Sequence, residues 1–250
     1  MEPAPPLRVL FIGNSLTFFR EEREGEAYLL HDLPGLLVRM ASGRLAAEAS
    51  ARSGAGLKEH WDEGRLGGRL AGARWDAVVL QDSSRGPVDD PAAMRAQGLN
   101  LDRAIRGAGC RTILFETWPA RGGEGAEQIA SAYAGLGAEL GAVVVPVGTA
   151  WRRVASSSPE IDLYAPDGVH AGPLGTYLAA CVFYGALLGE DPAGRPGRGL
   201  AADAEALAPF ADCQKKLWGG PGAGVLSPGS LELLQSAAWR CVRELHPALR

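Results

Sequence analysis

The stretch Leu7-Arg8-Val9-Leu10-Phe11-Ile12-Gly13-Asn14-Ser15-Leu16-Thr17 decides the fold. Its first half is a short apolar and β-branched run, and Gly-Asn-Ser then breaks it, leaving a hydroxyl where the chain quits a sheet. Similar runs follow at 45–51, 77–81, 112–116 and 142–147. Between them, 33–45, 91–106, 125–140 and 173–188 carry apolar residues at helical spacing, the last apolar almost all round and therefore a buried helix. Strands alternating with helices predict a parallel sheet covered on both faces, a three-layer α/β/α sandwich. Val78-Val79-Leu80 and Val143-Val144-Val145 are uniformly apolar, as strands in the sheet interior are.

Beyond this core, 191–199 is rich in turn formers, and 200–218 and 227–245 read as two more helices, the second with Ser227 as N-cap and Pro228 at the first helical position. The expected organisation is one domain over 1–250. It has a core at about 7–190 and a C-terminal helical appendage at about 200–245 that offers an oligomer contact.

Composition narrows the function classes. With 46% hydrophobic and 22% charged residues, the 250-residue chain can bury a large core. A net charge of −4 without a basic run gives a polyanion nothing to follow, so nucleic acid is not an expected partner. No apolar run approaches the ~20 residues of a membrane span. Met1-Glu2-Pro3-Ala4-Pro5-Pro6 lacks the features of an export signal, which predicts a cytoplasmic protein, or an exported one if a signal has been trimmed. Cys110, Cys181, Cys213 and Cys241 form no Cys-x-x-Cys pair and read as free, buried thiols. The four scattered histidines predict no metal site.

The chemistry is carried by Ser15 and by Asp167-Gly168-Val169-His170, which starts 152 residues later. A serine hydroxyl becomes a nucleophile only with a base in hydrogen-bond reach and a third group orienting that base. His170 and Asp167 can supply both. Alone, Ser15 also reads as a helix N-cap and Asp167 as part of a Pro-Asp-Gly turn; their joint occurrence favours the reactive reading.

These motifs resemble the SGNH (GDSL-like) hydrolases, over roughly residues 7 to 190. Besides Gly13-Asn14-Ser15-Leu16-Thr17 and Asp167-Gly168-Val169-His170, the likeness rests on Ser53-Gly54-Ala55-Gly56-Leu57, Trp75-Asp76-Ala77-Val78-Val79-Leu80-Gln81, Thr117-Trp118-Pro119 and Gly175-Thr176-Tyr177-Leu178-Ala179-Ala180. The resemblance implies a flavodoxin-like five-stranded parallel sheet of order 2-1-3-4-5 and ester hydrolysis by Ser15, His170 and Asp167, without a cofactor. It implies oxyanion donors in the N–H groups of Ser15 and Gly54 and in a side-chain amide. The family has asparagine there; this chain offers Gln81. Trp118, following the fourth strand, would wall the substrate pocket.

The segment 20–30 looks like an insertion beside the nucleophile, forming either a rim over the site or a solvated charged helix end. His60, in a short helical stretch, has a packing or surface role. The expected partner is a small-molecule ester, with an acylated carbohydrate among the candidates; a carbohydrate O-deacetylase is the next reading. A catalytically weak glycan- or protein-binding relative is the alternative of another class; a flavin- or phosphate-binding flavodoxin relative using the loop Gly13 to Thr17 suits the fold but lacks the clustered Ser/Thr/Gly donors such a loop offers.

Overall fold

A computed structural model describes residues 4–23, 26–194 and 228–246, with 20–23 and 26–30 as backbone. Five parallel strands, β1 (Leu7–Gly13), β4 (Leu45–Ala51), β5 (Ala77–Leu80), β6 (Arg111–Phe115) and β7 (Val143–Val145), form one sheet in the order β4-β1-β5-β6-β7. Counting these strands alone, the order is the expected 2-1-3-4-5. The intervening β2 (Phe18–Arg23) and β3 (Glu26–Asp32) form a separate antiparallel pair. The inserted segment is therefore a hairpin, not a charged helix end.

Strand periodicity divides the core in two. Val9 and Phe11 of β1, with Ala77 and Val79 of β5, point to one face, while Leu10, Ile12, Val78 and Leu80 point to the other. The first face is covered by α1 (Leu33–Ala41), α7 (Val147–Ser157), α8 (Pro173–Leu188) and α9 (Pro228–Leu245). The second is covered by α2 (Leu57–Asp62), α3 (Arg65–Gly72), α5 (Pro91–Gly107) and α6 (Ala126–Leu140), with the single turn α4 (Gly86–Asp89) joining β5 to α5. Burial on both faces explains why β5 reads as uninterrupted apolar sequence.

β7 has the same appearance but sits at the edge of the sheet, with Val143 and Val144 half-buried, so the expected interior position is corrected. Its uniform apolarity arises because Val144 packs into one core and Val145 into the other. The exposed edge is blunted by His246, whose Nε2–H donates to the Val144 carbonyl at 2.6 Å. The run expected over 142–147 ends early because Pro146 caps α7, a helix whose Val147, Ala150, Trp151 and Val154 follow helical spacing into the core.

α8 is buried along its length from Leu174 to Ala186, as its sequence predicts. It is wedged between α1 and α9. α9 does not stand apart from this core: Leu231, Leu234, Ala237, Ala238, Cys241 and Val242 are all buried in it. The helix predicted at 200–218, the Ser227 cap and Cys213 lie outside the described residues; Cys110, Cys181 and Cys241 are free and buried. Among the described residues, no helix is long and apolar enough to cross a membrane.

Leu234 is fully buried, so Leu234→Ala is expected to lower unfolding free energy by about 2–5 kcal/mol, read by urea denaturation.

Candidate active site

The site forms beyond the carboxyl ends of the strands, where an open α/β sheet places its crevice. β1 ends at Gly13, and the chain turns through Asn14–Thr17. Asn14 directs the turn: its carbonyl accepts the Thr17 and Phe18 N–H groups at 2.9 and 3.1 Å, and its side-chain Oδ1 accepts the Leu16 N–H at 2.9 Å. Gly13 has to be glycine, because a Cβ there would stand 2.5 Å from Gln81 Oε1 and 2.7 Å from Thr17 Oγ1.

Gln81, fully buried, faces this turn from the end of β5. Its Oε1 accepts the Asn14 N–H at 3.0 Å and the Thr17 hydroxyl at 2.8 Å, and its Nε2 donates to Asn14 Oδ1 at 2.8 Å and to the Asp82 carbonyl at 2.5 Å. Both amide hydrogens and both oxygen lone pairs are thus used. The expected oxyanion role of Gln81 is corrected: its amide is spent clamping the turn. Asn14 Nδ2 completes the clamp by donating to the carbonyls of Ala55 (2.8 Å) and Asp82 (3.2 Å), tying in the loop that carries Gly54.

The buried Asp82 carboxylate accepts the Leu57 and Ser83 N–H groups at 2.9 and 2.8 Å, capping α2, whose own cap residue Gly56 has no side chain. Burial pushes this carboxyl above the usual range despite the two bonds.

Asp167 and His170 come from a tight turn. Gly168, at φ +71°, supplies the left-handed residue, with Gly168 N–H on the Ala165 carbonyl (2.9 Å) and Ala165 N–H on the His170 carbonyl (2.8 Å). Asp167 Oδ1 accepts the Val169 and His170 N–H groups, both at 2.9 Å, and Oδ2 lies 2.6 Å from His170 Nδ1. His170 Nε2 lies 2.8 Å from Ser15 Oγ. The carboxylate places the imidazole proton on Nδ1 and leaves Nε2 free to accept the serine proton. Burial raises the Asp167 carboxyl, but the His170 and backbone bonds outweigh it and hold the group below the ordinary carboxylate range. Ser15, His170 and Asp167 therefore meet in one hydrogen-bonded chain.

Trp118 is not in the pocket. It is 1% exposed and stacks on Trp151 with ring centroids 4.3 Å apart. Its Nε1–H donates to the Val169 carbonyl at 2.9 Å, and Arg121 N–H donates to the Gly168 carbonyl at 2.7 Å. The expected wall of the pocket is instead a pin for the Asp167–His170 turn.

Gly54 is exposed at φ +72° between β4 and α2. Among the described residues, neither its N–H nor that of Ser15 is bonded to a protein acceptor. The Gly56 N–H, by contrast, donates to Glu59 Oε2 at 2.8 Å.

Two further histidines hold the nucleophile turn. His60 is buried, and its Nε2–H donates to the Gly13 carbonyl at 2.8 Å, a packing role as expected. His31 was not singled out by sequence reasoning. Its Nε2–H donates to the Leu16 carbonyl at 2.5 Å, and its Nδ1 lies 2.7 Å from the Thr176 hydroxyl on α8. Burial lowers both imidazoles below the usual histidine range, His31 to about 4. Phe19 was missed as well, and its ring stacks on His170. The available signal was the position of Phe19 and His31 at the two ends of the insertion.

No protein-family model matches the chain, and no curated protein matches it. Among solved structures it is similar to a protein from Slackia heliotrinireducens assigned to the SGNH hydrolases, with 31% identity over 73% of this chain and 99% of the other at a TM-score of 0.60. A DUF4886 family protein from Bacteroides uniformis (17% identity, 97% and 96% coverage, TM-score 0.62) and the acetylxylan esterase Axe2 from Geobacillus stearothermophilus (15%, 73% and 94%, TM-score 0.56) share the fold. The sheet order and the likeness to these proteins define a hydrolase of the three-layer α/β/α class. The chain belongs to the SGNH hydrolases.

Gln81→Leu strands Asn14 and Thr17 groups in the interior, at about 1–3 kcal/mol for each group left unpaired. Chemical denaturation should show a loss of at least about 2 kcal/mol, against less than about 0.5 kcal/mol for the exposed Gln128→Leu. The His31 prediction concerns pH. A group whose pKa falls from 6.5 unfolded to about 4 folded contributes stability above 6.5 that is lost as pH drops towards 4, here about 3 kcal/mol. Denaturation midpoints taken across that window should fall for the wild type and fall less for His31→Gln.

Proposed function

We propose that the chain is a carboxylic ester hydrolase that uses Ser15 as nucleophile, His170 as general base and Asp167 as the group orienting His170. One observation carries the reading: the continuous chain from Ser15 Oγ through His170 Nε2 (2.8 Å) and from His170 Nδ1 to Asp167 Oδ2 (2.6 Å). As Ser15 Oγ bonds to the ester carbonyl carbon, its proton passes to His170 Nε2. The resulting imidazolium is stabilised by Asp167. Collapse of the tetrahedral intermediate breaks the bond to the alcohol oxygen, which takes that proton from His170. Water, deprotonated by His170, then attacks the acyl-serine, releasing the acid and returning the proton to Ser15.

The developing oxyanion is received by the backbone N–H groups of Ser15 and Gly54, supported by their lack of protein acceptors among the described residues. Gly54 is preferred to Gly56, whose N–H is occupied by Glu59. Gln81 is not a donor to the intermediate. The chemistry requires no cofactor. The substrate class is a small or carbohydrate-linked acyl ester, and the fold shared with an acetylxylan esterase supports the carbohydrate O-deacetylase form of that reading. The commitment of Gln81 elsewhere favours one second reading, a catalytically weak domain that binds a glycan or protein.

Fluorophosphonate labelling separates the two. The expected result is one label per chain on Ser15, abolished in Ser15→Ala and His170→Ala, with hydrolysis of p-nitrophenyl acetate reduced about 10³-fold or more in Asp167→Asn. Absence of label on folded wild-type protein would sink the hydrolase mechanism and leave the binding domain.

A further inference from the structure

The β2–β3 hairpin starts one residue after Thr17, so the nucleophile turn runs directly into it. Its base is tied down on both strands. The Leu33 N–H donates to the Thr17 carbonyl at 3.2 Å, and Phe19 pairs across the ladder with His31. His31 holds the Leu16 carbonyl on one side and Thr176 on the other. Phe19 lies flat on His170, with ring centroids 4.9 Å apart and planes inclined by 16°. The ladder register slips between Phe19 and Arg20. Such irregularities re-aim a side chain next to a site.

This contact matters because of how His170 is held. Its two hydrogen bonds, to Asp167 at Nδ1 and to Ser15 at Nε2, lie at the ring edge, and rotation of the ring about the Cβ–Cγ bond swings both nitrogens off their partners. A contact on the ring face resists that rotation, and a flat aromatic surface resists it better than an aliphatic one. We infer that Phe19 is a positioning residue for His170, and that the hairpin base holding Phe19 belongs to the reaction machinery. The inference rests on the Ser15–His170–Asp167 mechanism proposed above.

The test measures p-nitrophenyl acetate hydrolysis, fluorophosphonate labelling rate and melting temperature for wild type, Phe19→Ala, Phe19→Leu and Phe19→Tyr. Misplacing a catalytic group by about 1 Å can cost up to ~10²-fold. Phe19→Ala and Phe19→Leu are therefore expected to lower kcat and labelling rate about tenfold, with KM changed less than about twofold. Phe19→Tyr, which keeps the flat ring, should restore both. Leu retains apolar volume and reports on the ring itself should Ala compromise folding. A wild type that labels at Ser15 while Phe19→Ala labels equally fast overturns the inference and leaves the mechanism standing. So does a rise confined to KM, which would make Phe19 a wall of the substrate pocket, or full rescue by Leu. A wild type that does not label at all overturns both.

Discussion

The exchange of hydrogen bonds between Asn14 and Gln81 joins the ends of two neighbouring strands, and the geometry of the site follows from it. Asn14 N–H meets Gln81 Oε1 and Gln81 Nε2–H meets Asn14 Oδ1, so each residue both donates and accepts, and neither can turn without stranding the other. The spare Asn14 donors reach Ala55 and Asp82. The nucleophile turn, the Gly54 loop and the loop after β5 are thereby fixed relative to one another. In a buried setting such a network is stabilising only when every member is satisfied, and here all polar atoms of both side chains are paired. Rigidity at this point holds the Ser15 turn and the Gly54 loop side by side.

The fold was legible because burial on two faces writes itself into strand sequence. Val9, Phe11, Leu10 and Ile12 alternate between cores, and the run is apolar throughout for that reason. That Ser15, His170 and Asp167 meet in one hydrogen-bonded chain follows from two turns, Asn14–Thr17 and Asp167–His170, each of which imposes its own residue types. The hairpin was not legible. Arg20, Glu21, Glu22 and Arg23 lack the alternation that marks a half-buried strand, and β2 and β3 do not join the main sheet. α7 was hidden for the opposite reason: the apolar run from Val143 continues through Pro146 into Val147, and only the 147, 150, 151, 154 spacing separates helix from strand.

Gln81 and Trp118 show where sequence position is least informative. Both emerge at carboxyl ends of strands, where site residues are expected, and both turn to neighbouring loops instead. Gln81 finds Asn14, 67 residues distant, and Trp118 finds Val169, 51 residues distant. What an amide or indole N–H does at such a position depends on which distant carbonyl or turn arrives beside it. Local pattern carries no record of that.

The histidines make the same separation between holding and reacting. His60 and His31 donate Nε2–H to the carbonyls of Gly13 and Leu16, one on each side of the Asn14-Ser15 step. Burial lowers the pKa of both. An imidazolium at His31 would place a positive charge near His170. Burial prevents this by holding His31 neutral down to about pH 4, so the residue supplies one directed N–H and no competing charge. His170, in contrast, remains partly exposed, with 22% of its side chain accessible, and is bonded along one edge to a carboxylate. Burial on all sides and a bond to a backbone carbonyl make His31 and His60 braces for the turn, whereas His170 is set between a carboxylate and a hydroxyl.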